Sequence, residues 1–194
     1  MASRYDDELW ELVPEDPGPP PEHLRRFVRG LGRAEHALDL GCGDGRLTYE
    51  LDAAALTAAD VSAVALERAG RRLADRGAEL VELEPDAPLP LPDSTYDLVL
   101  CAETLEHARD VQLLLSEARR VLRPGGRFAV TTPALGRRTA LRALLRGFEH
   151  ELDPLSPHLR FFTPRSLRRT LVEMGFEVES LERRDGSACA VAVR

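Results

Sequence analysis

The sequence predicts an α/β fold: a mainly parallel sheet with helices covering both faces. Three observations predict it. Short apolar runs alternate with amphipathic stretches of helical period from Glu35 onward, and that alternation builds parallel strands joined by helical crossovers. A glycine-dense turn, Asp39-Leu40-Gly41-Cys42-Gly43-Asp44-Gly45, closes the first apolar run. The chain has 194 residues, 43% hydrophobic and 30% charged, which suits one globular domain with a real core.

The elements follow in order. Tyr5 to Val13 is expected to be a short helix, with Tyr5, Leu9, Trp10 and Val13 on one face. Pro14 to Pro21 (PEDPGPPP) forbids regular structure and forms a stiff connector. A second helix runs from Glu22 to Leu31 and stops near Gly32. Residues 1–34 are thus an N-terminal appendage to the alternating region.

Within that region, strands are expected at Ala37–Leu40, Ala54–Ala59, Ala78–Leu83, Tyr96–Cys101 and Arg127–Thr132. Helices are expected at Arg46–Leu51, Ser62–Arg76 and Val111–Leu122, the last stopped by Pro124-Gly125-Gly126. The alternation is then interrupted by an insertion over residues 133–162. It reads as an Arg-studded helix from Arg137 to Phe148 and a loop from Glu149 to Arg160. A helix from Pro164 to Met174 follows, with Thr163 as N-cap and Gly175 as C-cap. Strands Phe176–Glu182 and Ala188–Val193 close the chain as an antiparallel hairpin with Asp185-Gly186 in its turn.

Composition excludes several classes. No apolar run approaches the roughly 20 residues that span a bilayer. Met1 to Trp10 is acidic, unlike a secretory leader, so a cytoplasmic location without a membrane partner is expected. Cys42, Cys101 and Cys189 are odd in number and far apart, which suits neither a disulfide framework nor a zinc knuckle. A net charge of −7 argues against nucleic acid as a partner. The charge is uneven: Pro133 to Gly175 holds eight Arg against four acidic residues, a net of +4, leaving −11 elsewhere. All 26 basic residues are Arg, and the sequence has no Lys, Asn or Ile.

The glycine turn carries the sharpest chemical signal. Glycines at alternate positions allow a tight turn and bring a ligand against the main chain. The spacing is GxGxG, with Arg46 where a dinucleotide site wants its third glycine. Asp60 follows Gly41 by 19 residues, at the end of the next strand. A carboxylate there either accepts both hydroxyls of a ribose or caps the helix that starts at Ser62.

These residues resemble the class I S-adenosylmethionine-dependent methyltransferases, specifically the small type 11 group, from about Ala37 to Phe176. HALDLGCGDGRLT is similar to that family's cofactor loop and LTAADVSAVALERA to its ribose-binding segment. LPLPDSTYDLVLCAETLEHARD, LLLSEARRVLRPGGRFAVTTP and HLRFFTPRSLRRTLVEMGFEV are similar to its fourth strand, fifth strand and closing helix. The resemblance implies a Rossmann-like three-layer sandwich with a seven-stranded, mostly parallel sheet, the last strand antiparallel, in a single domain over 1–194. It also implies S-adenosylmethionine as cofactor and S-adenosylhomocysteine as product.

By the same resemblance Asp39 holds the methionine amino group. Gly41, Cys42 and Gly43 bring the backbone to the cofactor, and Asp60 with Val61 binds the ribose. Asp86, beside Ala87, meets the adenine amine, with Glu84 as the alternative. Cys101 lies by the methionine part. The insertion over 133–162 covers the acceptor, which is expected to be a small molecule offering oxygen or nitrogen.

An acceptor that is protonated needs a base, and His107 and His158 are the candidates. Glu103-x-x-Glu106-His107 offers two carboxylates and an imidazole that a helical turn would converge on one cation. That stretch is similar to the metal-binding segment of ubiquinone-biosynthesis O-methyltransferases and RNA 3′-end methyltransferases, so a metal-assisted hydroxyl methyltransferase stays open. Arg137, Arg138, Arg142 and Arg146 either bind an acidic acceptor or form a solvated helix face. Phe148, Leu152, Phe161 and Phe162 line the same cover or belong to the core. Tyr5 and Trp10 are candidates to fold over the cofactor. Two rival classes remain: a nicotinamide-dependent oxidoreductase, and a binding-only relative that regulates a partner. Monomer and homodimer are equally open.

Overall fold

The computed structural model describes residues 2–136 and 158–194. Helix α1 spans Ala2–Leu12 and α2 spans Glu22–Arg29, on either side of the proline-rich connector. Seven strands follow: β1 (Ala34–Leu40), β2 (Ala53–Asp60), β3 (Glu79–Glu82), β4 (Tyr96–Ala102), β5 (Leu122–Pro133), β6 (Glu177–Arg184) and β7 (Ser187–Val193). Helix α3 (Ala63–Arg72) links β2 to β3, α4 (Val111–Val121) links β4 to β5, and α5 (Pro164–Glu173) precedes β6. The stretch expected to be a helix after Arg46 is a single 3-10 turn, Thr48–Glu50.

The strands form one sheet in the order β3-β2-β1-β4-β5-β7-β6. β1 pairs in parallel with both β2 and β4, so strand order reverses beside β1. The ends of β1 and β4 diverge there into a crevice, where ligands of such sheets bind. β7 runs antiparallel to β5 and β6. Its hairpin turns on Asp185 (φ 43°) and Gly186 (φ 100°), both left-handed, as a two-residue turn between right-twisted strands requires.

Both faces of the sheet are buried, because alternate residues of one strand point to opposite sides. On β4, Val99 and Cys101 join the cluster under α4 and α5 with Phe128, Leu115 and Leu167. Leu98 and Leu100 join the opposite cluster with Phe27, Val28 and Cys189. The Phe128 and Phe176 rings stack with centroids 5.1 Å apart. Small residues on β2 let α3 come close, so Ala58, Cys42, Leu66, Ala69 and Leu73 form a third cluster beneath the glycine turn.

Several boundaries differ from expectation: β1 begins at Ala34 rather than Ala37, α2 stops at Arg29 and α3 at Arg72. Helix α4 ends at Val121 and β5 begins at Leu122, so Pro124, Gly125 and Gly126 lie within the strand rather than before it. There the register with β4 slips between Tyr96 and Leu98, and the extra residues are taken up as a bulge at the strand's start. The C-cap of α5 is Met174; Gly175 is the left-handed residue after it, with φ 82°. Residues 137–157 lie outside the described residues, and with them the expected helix, Arg137, Arg138, Arg142, Arg146, Phe148 and Leu152. The flanks of that insertion are joined by a bridge between Ala134 and Phe162. Among the described residues, no helix is long and apolar enough to cross a membrane.

Candidate functional site

The end of β1 turns back on itself at Gly41 (φ 81°) and Gly43 (φ 54°). The Gly41 and Cys42 N–H groups donate to the Ala59 carbonyl at 2.8 and 3.0 Å, which ties the turn to β2. A side chain at Gly41 would overlap Thr104, whose Cγ2 would lie 2.3 Å from the added carbon. The Thr104 hydroxyl donates to the Gly41 carbonyl at 3.2 Å, closing the turn against the loop after β4.

Two carboxylates sit under this turn. Asp39 is buried, and its Oδ2 accepts from the Thr48 hydroxyl at 2.6 Å. Its Oδ1 is buried with no hydrogen-bond partner. Burial pushes this carboxyl up to about 7; the Thr48 hydrogen bond works against the shift, and the charge of Asp60 adds to it. Asp60 accepts from the Gly43 N–H at 2.8 Å through Oδ2 and from the Ser62 N–H at 3.0 Å through Oδ1. Burial raises it as well, with those two hydrogen bonds pulling it down. The cap of α3 is Ser62, whose Oγ accepts from the Ala65 N–H, so Asp60 is not the cap. Val61 is half-buried between them.

Helix α1 lies over this region. The indole of Trp10 rests on Gly43, and the Arg68 guanidinium stands 6.0 Å from the ring centroid. Asp7 accepts from the Ser62 hydroxyl at 2.6 Å and from the Val64 N–H at 3.3 Å, adding a carboxylate to the positive end of α3. Arg68 also donates to the Val13 carbonyl, and Arg46 to the Gly18 carbonyl, so the connector is pinned beside the turn. Tyr5 is exposed and does not share this position.

The remaining sequence candidates divide. Asp86 is exposed, with φ 56°, and pairs with Arg109 at 3.5 Å; Ala87 is half-buried and Glu84 exposed. Cys42 and Cys101 are buried, and burial pushes both thiols well up. The Cys101 side chain is wholly buried and belongs to the core under α4.

The loop after β4 is a turn, not a helix, and its two glutamates part company. Glu103 takes a left-handed φ of 51°, and its N–H donates to the Thr131 carbonyl at 2.9 Å. Burial raises its carboxyl; Thr131, His23 and Ser187 act on it in the opposite direction. Glu106 is buried and its carboxylate oxygens lack a well-formed hydrogen bond. Burial pushes the carboxyl up to about 7, its own N–H and the Thr132 hydroxyl pull it down, and the charge of Glu103 adds to the rise. The Glu106 carbonyl accepts from the Leu159 and Arg160 N–H groups at 2.8 and 3.0 Å. Those bonds bring His158 against His107, with ring centroids 4.8 Å apart and edge to face. His107 Nε2 is 3.9 Å from Glu106 Oε1. The structure therefore gathers Glu106, His107 and His158, leaving Glu103 out of the group. A cavity of about 590 Å³ is lined in part by Arg109, Asp110, Arg160, Phe162, Glu173 and Met174.

Thr48, Thr104 and Asp7 escaped the reading of the sequence. Hydroxyls nine and 63 residues from their partners leave no spacing signal, and Asp7 looks like one more acid in an acidic helix.

Residues 38–130 match a family model described as a methyltransferase domain. The chain is 37% identical over 106 residues to 27-O-demethylrifamycin SV methyltransferase of Amycolatopsis mediterranei, covering 52% of this chain and 39% of that protein. It is 34% identical over 109 residues to the ubiquinone/menaquinone biosynthesis C-methyltransferase of Cellvibrio japonicus, covering 52% of this chain and 44% of that protein. The chain thus spans less than half the length of these curated relatives. Among solved structures, an S-adenosylmethionine-dependent methyltransferase from Aquifex aeolicus superimposes with a TM-score of 0.67 at 20% identity, covering 89% of this chain and 93% of that one.

Proposed function

Since this chain belongs to the class I S-adenosylmethionine-dependent methyltransferase family through the domain at residues 38–130, we propose that it binds S-adenosylmethionine at the ends of β1 and β2 and methylates a small-molecule acceptor. The observation that carries this reading is the orphaned Oδ1 of Asp39 beneath the glycine turn. A buried carboxylate oxygen without a donor is costly, and an ammonium group supplies what it lacks.

The residues fit the cofactor in three places. Asp39 would hold the methionine amine, and the turn at Gly41 and Gly43 would bring main chain to the cofactor, with Thr104 and Trp10 packed on the two glycines. Asp60, fixed by two N–H groups, keeps further lone pairs for ribose hydroxyls. Cys42 and Val61 flank that contact, and Asp86 with Ala87 stands on the adenine side. Trp10 and α1 would cover the site and keep water from it.

When bound, the cofactor supplies an activated methyl group, so the protein's task is alignment rather than activation. The sulfur–carbon bond breaks as the acceptor–carbon bond forms. We assign oxygen or nitrogen as the acceptor atom, because a protonated acceptor must lose a proton and the cluster of Glu106, His107 and His158 offers groups to handle one. The cavity sets Arg109 and Arg160 against Asp110 and Glu173, so its lining selects no acceptor charge.

The test is calorimetric titration of the purified chain with S-adenosylhomocysteine, with NADH as control. Micromolar binding of the former alone supports the reading. Binding of NADH instead would overturn the choice of cofactor, and binding of neither would remove the crevice as a cofactor site.

A further inference from the structure

Resting on the methyltransferase reading, we propose that Thr48 is a positioning residue for the amino-acid end of the cofactor. Its hydroxyl holds one oxygen of the Asp39 carboxylate and leaves the other, Oδ1, to the α-ammonium group. Thr48 itself touches no ligand in this arrangement and acts through Asp39.

The loop after β1 builds the placement. Gly45 takes a left-handed φ of 78°, and its N–H donates to the Cys42 carbonyl at 3.0 Å. A side chain at Gly45 would crowd α3, with the Ala69 Cα 3.2 Å from the added carbon. The chain then folds back, and the Tyr49 N–H donates to the Gly45 carbonyl at 2.9 Å. Thr48 is thereby carried, fully buried, against Asp39, and its hydroxyl donates to Oδ2 at 2.6 Å. That distance is in the range of a hydroxyl on an ionised carboxylate.

A threonine hydroxyl has one hydrogen to give, so it can serve one carboxylate oxygen and not both. The bond fixes the carboxylate rotamer, and it also favours the charge. The titratable groups that face Asp39 are Asp60 from the end of β2, Cys42 from the glycine turn and Cys101 from β4. None of these is a cation. The charge of Asp60 opposes a second charge beside it, and burial keeps both thiols neutral. Against burial and Asp60, Thr48 pulls Asp39 toward the ionised form, which is the form an ammonium group pairs with.

The test is calorimetry of the full chain with two ligands, S-adenosylhomocysteine and 5′-methylthioadenosine, between about pH 6 and 8. The second ligand keeps the adenosine and the sulfur but lacks the amino acid. Thr48→Val, which keeps the shape and loses the hydroxyl, should bind S-adenosylhomocysteine at least about fivefold more weakly at neutral pH. The gap should narrow as pH rises, because losing the hydrogen bond moves the Asp39 midpoint up from about 7. Methylthioadenosine affinity should match the parent, and Thr48→Ser should restore both the affinity and the pH profile. Equal losses for the two ligands would make Thr48 a structural residue and overturn the proposal. Should Thr48→Val not fold, Thr48→Cys, whose thiol is a weak donor, carries the same comparison. A loss confined to S-adenosylhomocysteine supports the proposal there, and an equal loss or none overturns it. A parent that does not bind S-adenosylhomocysteine strikes the proposed function and this proposal together. A parent that binds it, with Thr48→Val unaltered, strikes this proposal alone.

Discussion

The indole of Trp10 lies on the α-carbon of Gly43, so close that an added methyl group would come within 2.7 Å of the ring. The contact joins the N-terminal helix to the turn that would hold the cofactor. Gly43→Ala should therefore act twice, straining a left-handed backbone and lifting the helix from the turn. We expect at least about tenfold weaker S-adenosylhomocysteine binding, equal to about 1.4 kcal/mol. Trp10 is the sole tryptophan, so a red shift of emission should accompany the loss. Parent-like affinity and emission would detach α1 from the site.

Asp60→Ala should also weaken cofactor binding at least tenfold, about 1.4 kcal/mol or more. It removes the acceptor for both Gly43 and Ser62 N–H groups as well as the ribose partner. Calorimetry with S-adenosylhomocysteine and with free adenosine separates the roles. Equal losses for the two ligands place the effect at the ribose, and unchanged affinity for both removes Asp60 from binding.

Asp39 makes binding depend on pH. An ammonium group pairs with the ionised carboxylate, whose pKa in the free protein is about 7 because burial penalises its charge. Affinity should fall about tenfold for each pH unit below that value and level off above it. Stability runs the other way. The neutral form favours folding, so the contribution of Asp39 is complete below 3.8 and is lost as pH rises through about 7. Asp39→Asn should flatten both profiles, by calorimetry and by melting temperature.

Gly41→Ala should destabilise the fold through two separable causes. The left-handed backbone costs a non-glycine residue about 1–2 kcal/mol, and the added carbon collides with Thr104. Urea unfolding of Gly41→Ala with and without Thr104→Ala should show partial rescue. No rescue would make the backbone the whole cost.

Phe128→Ala should cost about 3–5 kcal/mol, since its ring is fully buried and stacks on Phe176. A lower urea midpoint at constant slope is the expected signature. A loss under about 1 kcal/mol would mean that the core refills the space.

Much of the fold was legible because hydrophobic period is a local signal. The seven strands, the closing hairpin and the α3 and α5 starts all rest on neighbours within a few residues. The glycine turn and Asp60 were legible for the same reason. The stretch from Glu103 to His107 was misread as a helical turn because a single left-handed residue, Glu103, breaks the phase. Thr131 and Ser187 act on its carboxyl there, while its charge still reaches Glu106. Proline and glycine at 124–126 look like a terminator, yet Arg194 pairs with Gly126 and holds them in the sheet. The meeting of His107 with His158 depends on two N–H groups finding the carbonyl of Glu106. No sequence spacing encodes that.

The three cysteines are buried in three different places: Cys42 under the glycine turn, Cys101 in the central strand and Cys189 in the final one. Burial also raises every one of these thiols. A native molecule is therefore silent to alkylating reagents, which attack exposed thiolate. Each sulfur becomes a clock for the opening of its own neighbourhood. Read by mass, the order in which the three are labelled would rank the cofactor turn, the sheet centre and the closing hairpin by how often each comes undone. A ligand seated on the turn would slow the first clock while leaving the third to run.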